Sequence, residues 1–120
     1  MITHIILFRP RGAVSLDQQR VILASLTASL QQFPSVRGCR IGRRVRHGLP
    51  GYEQGMREDY GYALLLEFDD VEGLREYLRH PAHSELGEFF ATAADALAYD
   101  YELMSLADMQ QAMRSAGSGS

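Results

Sequence analysis

The chain has 120 residues, of which 46% are apolar and 22% charged, and this is the size and composition of one globular domain. All 12 basic residues are arginines, so reactions that need a lysine Schiff base or a phosphate-loop lysine are excluded. The single cysteine, Cys39, excludes an internal disulfide framework. No apolar run approaches the roughly 18 residues of a membrane span, so we expect a cytoplasmic protein without a membrane partner.

Charge is divided unevenly along the chain. Residues 1–47 hold eight arginines and one acid, whereas residues 48–120 hold four arginines and fourteen acids. Five of the arginines form a basic segment at Arg37, Arg40, Arg43, Arg44 and Arg46. A nucleic-acid surface would interleave such residues with aromatic side chains, and this segment has none. We therefore expect no nucleic-acid partner and expect the basic segment to pair with acids of this chain or of a second copy.

Local signals mark the first strand and the first helix. Residues 2–9 are rich in β-branched side chains, which predicts a strand whose side chains alternate between two faces. One of these faces carries Ile2, His4, Ile6 and Phe8. Ser15 followed by Gln18 forms a capping box, which predicts a helix whose apolar stripe begins at Leu16 and which ends near Pro34.

Two further strands are predicted on either side of a glycine-rich loop. Residues 35–47 predict a strand whose apolar side chains share one face, Cys39, Ile41 and Val45. Residues 47–58 contain three glycines and one proline and predict a loop. Residues 59–68 are largely apolar on both faces, which predicts a central strand that is covered on both sides.

The rest of the chain predicts three helices and one strand. An acid at residues 69–70 predicts a helix start, and the inner face of that helix carries Val71, Leu74, Tyr77 and Leu78. A second helix is predicted over residues 84–97, and the alternation at residues 99–103 predicts a fourth strand. Beyond it we predict a short helix with Leu106, Met109 and Met113 and a flexible tail over residues 115–120.

This order of elements predicts an α+β fold of the ferredoxin-like βαββαβ type. Helices would cover one face of the sheet and leave an apolar, aromatic face bare. Because so large an apolar face is unstable in water, we expect a homodimer in which two sheets pack face to face as a dimeric α/β barrel. The predicted organisation is a domain over residues 1–104, followed by a short helix and a flexible tail over residues 105–120.

Three segments resemble the stress-responsive A/B barrel (Dabb) family: MITHIILF at residues 1–8, YLRHPAH at 77–83 and YDYEL at 99–103. The resemblance covers residues 1–104 and implies the dimeric ferredoxin-like barrel. A plant polyketide cyclase of this family closes a linear poly-β-ketone by an aldol condensation without a cofactor, and the resemblance implies His4, Tyr77 and His83 as the working residues. Tyr62 stands where that enzyme has a histidine, and the helix after residue 83 is alanine-rich instead of aromatic, so the plant substrate is not implied.

These residues suggest an enzyme that needs no cofactor or metal and acts on a carbonyl-rich small molecule. A neutral His83 near a helix start is expected to act as general base. Tyr77 would donate a hydrogen bond to a developing oxyanion, and His4 would orient His83 or the substrate. The residues expected to bind the substrate are Tyr62, Leu64, Leu86 and Phe90.

Two other functions remain open at this stage. One is a non-catalytic stress-responsive dimer, either ligand-binding or structural, in which His83 caps its helix or bonds a backbone carbonyl. The other is a cofactor-free monooxygenase, which rests on analogy of fold alone. An interior hollow below about 300 Å³ would favour the non-catalytic dimer, because small-molecule sites are usually larger.

Overall fold

The computed structural model describes residues 1–12 and 15–118. The first half of the chain forms β1 (Ile2–Pro10), α1 (Leu16–Leu30) and β2 (Gly38–Arg43). The second half forms β3 (Tyr62–Phe68), α2 (Val71–Arg79), α3 (Pro81–Ala93), β4 (Ala94–Glu102) and α4 (Leu106–Ser118). The loop between β2 and β3 contains one short 3-10 turn. The predicted α+β, ferredoxin-like order is confirmed, and the two helices predicted between β3 and β4 are present as α2 and α3.

The four strands form one antiparallel sheet in the order β2-β3-β1-β4. In this register His4 lies opposite Leu66 on β3 and opposite Asp100 on β4. The even-numbered side chains of β1, His4 among them, are buried on one face of the sheet. This is the face that the helices cover. The core between sheet and helices consists of Ile2, Ile6, Phe8, Leu26, Leu30, Phe33, Leu64, Leu66, Phe68, Leu74, Tyr77, Leu86, Phe90 and Ala94.

The opposite face of the sheet is uncovered and largely apolar, as the sequence predicts. On β4 it carries three large exposed side chains, Leu97 (39% exposed), Tyr99 (52%) and Tyr101 (52%). Ile5 and Leu7 of β1 lie beside them and are only half-buried. The predicted covering of β3 on both sides is therefore not provided by this subunit.

Local capping signals place the helix starts. Ser15 and Gln18 form the predicted reciprocal capping box of α1. Asp70 caps α2 by accepting a hydrogen bond from the backbone N–H of Gly73 at 2.8 Å. Helix α3 begins three residues earlier than predicted, because His80 caps it and Pro81 occupies the first turn. His80 Nδ1 accepts from the backbone N–H of Ala82 at 3.1 Å, so His80 is the N-cap of α3.

The start of β4 differs most from the sequence prediction. The alanine-rich region predicts a helix through Leu97, but α3 ends at Ala93 and Ala94 is fully extended. Residues 94–96 pair with the end of β1, and Asp95 forms ion pairs with Arg9 at 3.3 Å and Arg11 at 2.9 Å. Strand pairing and these charges outweigh the helix propensity of alanine, which is only a weak preference.

Several predicted boundaries and faces are also corrected. The apolar side chains of Leu16, Val71 and Leu78 are exposed, because α1 buries mainly Leu26 and Leu30 and α2 mainly Leu74 and Tyr77. Strand β2 is shorter than residues 35–47, which leaves Val45 outside the sheet and 77% exposed. Helix α4 continues through Ser118, past the predicted start of the tail at Ser115, and residues 119–120 lie outside the described residues.

The basic segment pairs with acids of its own chain. Its described ion pairs are Arg37–Asp69 (2.8 Å), Arg40–Glu67 (3.6 Å), Arg44–Asp59 (2.7 Å) and Arg46–Asp59 (2.5 Å). A hydrogen bond from Arg46 and a weaker contribution from Arg44 lower the pKa of the Asp59 carboxyl group. The pairs of Arg44 and Arg46 with Asp59 therefore hold the two ends of the β2–β3 loop together, and the other two pairs link the start of β2 to the end of β3.

Candidate active site

Three elements bring His4, Tyr77 and His83 together between the sheet and the helices. His4 projects from β1, Tyr77 from α2, and His83 from the first turn of α3. The Tyr77 ring centroid lies 5.7 Å from that of His4 and 4.8 Å from that of His83. The phenol is therefore flanked by two imidazoles. Together with Asp100, described below, these residues are called the polar cluster.

The hydroxyl of Tyr77 is buried and unsatisfied. The residue is 1% exposed, and its ring packs edge-on against Phe33 at 4.7 Å and tilted against Phe68 at 5.5 Å. The hydroxyl oxygen has no hydrogen-bond partner among the described residues. Burial raises the pKa of Tyr77 far above its ordinary value, with smaller contributions from Cys39 and Asp100. The phenol therefore stays protonated at neutral pH and is an unused hydrogen-bond donor.

His83 is held in its neutral form. Burial lowers its pKa, the proximity of His4 lowers it further, and a hydrogen bond with the backbone of Leu78 acts in the opposite direction. The main cause is therefore desolvation, and the helix start is not needed to explain the shift. A neutral imidazole has one ring nitrogen with a lone pair, so His83 is able to accept a proton near pH 7.

His4 is oriented by Asp100, a residue to which the sequence assigned no role. The two lie opposite each other on β1 and β4, and Nδ1 of His4 meets Oδ1 of Asp100. His4 is 5% exposed, whereas the side chain of Asp100 is 41% exposed. A carboxylate at Nδ1 holds the proton on that nitrogen and leaves Nε2 as the acceptor. The signal for this pair was the antiparallel pairing of the two terminal strands, which sets Asp100 on the face of His4.

A cleft lies between α1 and β2, and none of His4, Tyr77 and His83 is among the residues that line it. Its volume is about 530 Å³, within the usual range of small-molecule sites, and Phe33 and Cys39 line it close to Tyr77. The rest of its wall includes Thr27, Leu30, Gln31, Val36 and Ile41. Cys39 is exposed, but desolvation by its neighbours raises the pKa of its thiol, which disfavours its use as a nucleophile.

The structure does not place all of the predicted substrate-binding residues beside the polar cluster. Leu64 is fully buried under the helices, and Leu86 lies one turn after His83 in the core. Tyr62 and Phe90 both belong to the group around Phe8, four residues from His4 and therefore about 13 Å further along β1. The Tyr62 hydroxyl donates to Oε1 of Gln19 at 3.1 Å. Tyr62 and Phe90 thus pack around Phe8 away from His4, Tyr62 also lines a separate cleft of about 500 Å³, and their role in substrate binding stays a prediction.

Two further properties of the described residues bear on metal binding and membrane insertion. In the part of the chain that the structure describes, no three side chains of histidine, cysteine, aspartate or glutamate are grouped closely enough to hold a metal ion. Over the same residues, no helix combines the length and the apolar character needed to cross a membrane.

Comparisons with known proteins agree with this fold. Among solved structures, At3g17210 from Arabidopsis thaliana is 22% identical with a TM-score of 0.73, covering 88% of this chain and 98% of that one. A dimeric ferredoxin-like protein of unknown function from Thermobifida fusca is 27% identical with a TM-score of 0.63, covering 85% and 90%. The hydroxynitrile lyase of Passiflora edulis is 20% identical with a TM-score of 0.69, covering 87% and 94%.

No significant match was found among curated proteins. The family model described as the stress responsive A/B barrel domain matches residues 2–103, which include all four strands and the first three helices. The chain belongs to the stress-responsive A/B barrel family.

Proposed function

We propose that this protein is a cofactor-independent lyase or cyclase that acts on a carbonyl-rich, polyketide-like small molecule. His83 is the general base, Tyr77 is the hydrogen-bond donor to the developing oxyanion, and the His4–Asp100 pair orients the site. The observation that carries the proposal is the buried Tyr77 hydroxyl, which lies between two imidazoles and has no partner among the described residues. Such a group costs about 1–3 kcal/mol of stability, a cost that a functional role explains.

The polar cluster suits proton transfer next to a carbonyl group. In an aldol closure, His83 removes the proton α to one carbonyl, and the resulting enolate carbon attacks a second carbonyl of the same molecule. Tyr77 donates its hydrogen bond to the oxygen on which negative charge develops, in surroundings where water does not compete. The imidazolium of His83 then returns its proton to the new alkoxide, so the enzyme ends unchanged and no redox partner is needed.

The reverse reaction needs the same groups. His83 takes the proton of a hydroxyl group, a carbonyl forms, the adjacent carbon–carbon bond breaks, and the leaving carbanion is protonated by the imidazolium. The likeness to a hydroxynitrile lyase supports this direction, because cyanohydrin cleavage is a reaction of this type. The raised pKa of Tyr77 and the lowered pKa of His83 give one donor and one acceptor at the same pH, as either direction requires.

We also propose that the protein is a homodimer formed through the uncovered sheet face. The support is the set of exposed apolar side chains on β4, which would otherwise face water, and the dimeric state of the Thermobifida fusca protein. Packing of two such faces buries Leu97, Tyr99 and Tyr101 and closes the barrel.

Turnover of two probe compounds tests the chemistry. Cleavage of racemic mandelonitrile is followed by benzaldehyde absorbance, and exchange of the methyl protons of acetophenone in D₂O is followed by proton NMR. We expect His83→Gln to lower either rate by about 10²–10⁴-fold. His47→Gln is the matched control, because His47 lies exposed in the β2–β3 loop. Equal rates for the parent and His83→Gln would overturn the assignment of the base.

One observation favours a second function, a non-catalytic ligand-binding dimer. The hydrogen bond between His83 and the backbone of Leu78 is also what a structural histidine would make. In that case the cleft beside Phe33 would bind carbonyl compounds without turnover. Saturation-transfer NMR with acetophenone separates the two functions, because binding without proton exchange is the result expected only of the non-catalytic protein.

A further inference from the structure

A single residue joins the two helices that carry Tyr77 and His83. Helix α2 ends at Arg79 and α3 begins at Pro81, so only His80 lies between them. Its backbone is extended, with φ −66° and ψ 137°, because a residue that precedes proline is disfavoured in the helical region. The direction of α3, and with it the position of His83, is therefore set at this residue.

The backbone of His80 is hydrogen-bonded to the backbone of both working residues. Its N–H donates to the carbonyl of Tyr77 at 3.2 Å, and its carbonyl accepts from the N–H of His83 at 2.9 Å. Tyr77 and His83 each lie three residues from it, so these bonds close the last turn of α2 and the first turn of α3. The distance of 4.8 Å between the Tyr77 and His83 rings thus depends on the geometry of His80.

The side chain of His80 fixes the same junction in two ways. Its Nδ1 accepts from the backbone N–H of Ala82 at 3.1 Å, which caps α3. Its ring also packs edge-on against Phe33 with the centroids 4.9 Å apart, and Phe33 packs in the same manner against Tyr77 at 4.7 Å. Histidine is not one of the preferred N-cap residues, which are asparagine, aspartate, serine and threonine. The imidazole makes the cap and the contact with Phe33 at the same time.

We propose that His80 is a positioning residue, which holds His83 against Tyr77 by capping α3. This inference rests on the proposed function and adds to it a residue that does not contact the reacting atoms. Without the cap, the first turn of α3 frays, and His83, the third residue of that helix, loses its fixed distance from Tyr77. The hydrogen bond of His83 with the backbone of Leu78 weakens as well.

Substitution of His80 tests this cap against a matched cap elsewhere in the chain. His80→Ala removes the acceptor at the start of α3, and Ser15→Ala removes the corresponding acceptor at the start of α1. The loss of either cap should lower the urea midpoint of unfolding. Only His80→Ala should lower kcat for the two probe compounds, by about tenfold or more, with KM changed by less than about twofold. His80→Asn restores a strong cap and should return kcat to within about threefold of the parent's value.

The imidazole signals of His83 give a readout that does not require turnover. In ¹H–¹⁵N NMR spectra the ring nitrogens report the tautomer and the hydrogen bonding of each histidine, and the signals that disappear in His83→Gln are those of His83. We expect His80→Ala to shift these signals toward those of the exposed His47. Ser15→Ala should leave them unchanged.

The outcomes separate this inference from the proposed function. If the parent turns over neither probe compound, the proposed function is overturned, and the His83 signals decide on the positioning role. A shift in His80→Ala but not in Ser15→Ala supports that role, and unchanged signals overturn it. If the parent is active and His80→Ala retains its kcat, His80 is only a helix cap and the positioning role is overturned. An inactive His80→Asn variant as stable as the parent would overturn the cap as the means of positioning.

Discussion

His4 and Asp100 face each other across the first and last strands of the sheet, and the carboxylate of Asp100 meets Nδ1 of the His4 ring. The histidine is buried and the carboxylate is partly exposed. This contact joins the first and last strands and sets which nitrogen of His4 carries the proton. The contact therefore selects the tautomer of His4, and a substitution of Asp100 tests this selection separately from the presence of His4.

Asp100→Asn should separate the orientation of His4 from its presence. An amide is close in shape to a carboxylate but does not hold the proton on Nδ1 equally well, so the turnover of either probe compound should fall. The free energy of unfolding should fall by about 1 kcal/mol or less, because the carboxylate is partly solvated. Rates from the two probe assays and urea unfolding measure the two effects. Asp108→Asn, in exposed α4, is the control, and an Asp100→Asn rate equal to the parent's would show that the pair has no part in the reaction.

Tyr77→Phe should affect stability and activity in opposite directions. The hydroxyl makes no hydrogen bond within the described structure, so its removal should raise the free energy of unfolding by about 1 kcal/mol while turnover is lost. Tyr62→Phe is the matched control, because its hydroxyl donates to Gln19 and its loss should cost about 1 kcal/mol. Urea denaturation measures both variants. Destabilisation of Tyr77→Phe would show that the hydroxyl has a structural partner.

His83 should make the stability of the protein depend on pH. Its pKa is lower in the folded state than in the unfolded chain, so the folded state binds fewer protons between these two values. The contribution is fully present above the ordinary pKa and is lost as the pH falls through that value toward the lowered one. Urea unfolding between about pH 8 and about pH 5 should show a smaller decrease for His83→Gln than for the parent. His47→Gln should retain the decrease of the parent, and identical curves for parent and His83→Gln would contradict the lowered pKa.

Leu97→Glu should convert the proposed dimer into monomers. Leu97 is 39% exposed on the uncovered sheet face, and a glutamate there would be buried without a partner in the interface. Val71→Glu is the control, because Val71 is 44% exposed but lies at the start of α2. Sedimentation velocity measures both, and a Leu97→Glu dimer as stable as the parent would move the interface to another surface.

The elements that the sequence predicted well are those set by neighbouring residues. The capping box at Ser15 and Gln18 requires only a spacing of three, and the alternation along β1 requires only a period of two. The order of elements along the chain and the uncovered apolar face followed from these local patterns. The approach of His4, Tyr77 and His83 agrees with the predicted faces of their elements, whereas their roles remain predictions.

The errors occurred where distant residues decide the outcome. The alanines at positions 94, 96 and 98 favour a helix locally, but their pairing with β1 makes them part of a strand. Tyr62 of β3 and Phe90 of α3 pack around Phe8 and not around His4, a placement that also depends on distant residues, and their role in substrate binding stays a prediction. The role of Asp100 was missed because it depends on His4, which the neighbouring strand β1 places opposite it.

The register of β4 against β1 determines which sequence changes in β4 the site and the uncovered face are able to tolerate. A shift of one residue would turn Asp100 toward the bare side and carry Tyr99 and Tyr101 under the helices. The position of the Asp100 carboxylate beside His4 and the position of Tyr99 and Tyr101 on the uncovered face thus depend on the same strand register. An insertion or deletion within residues 94–102 would erase both at once, whereas substitutions are able to alter either one alone.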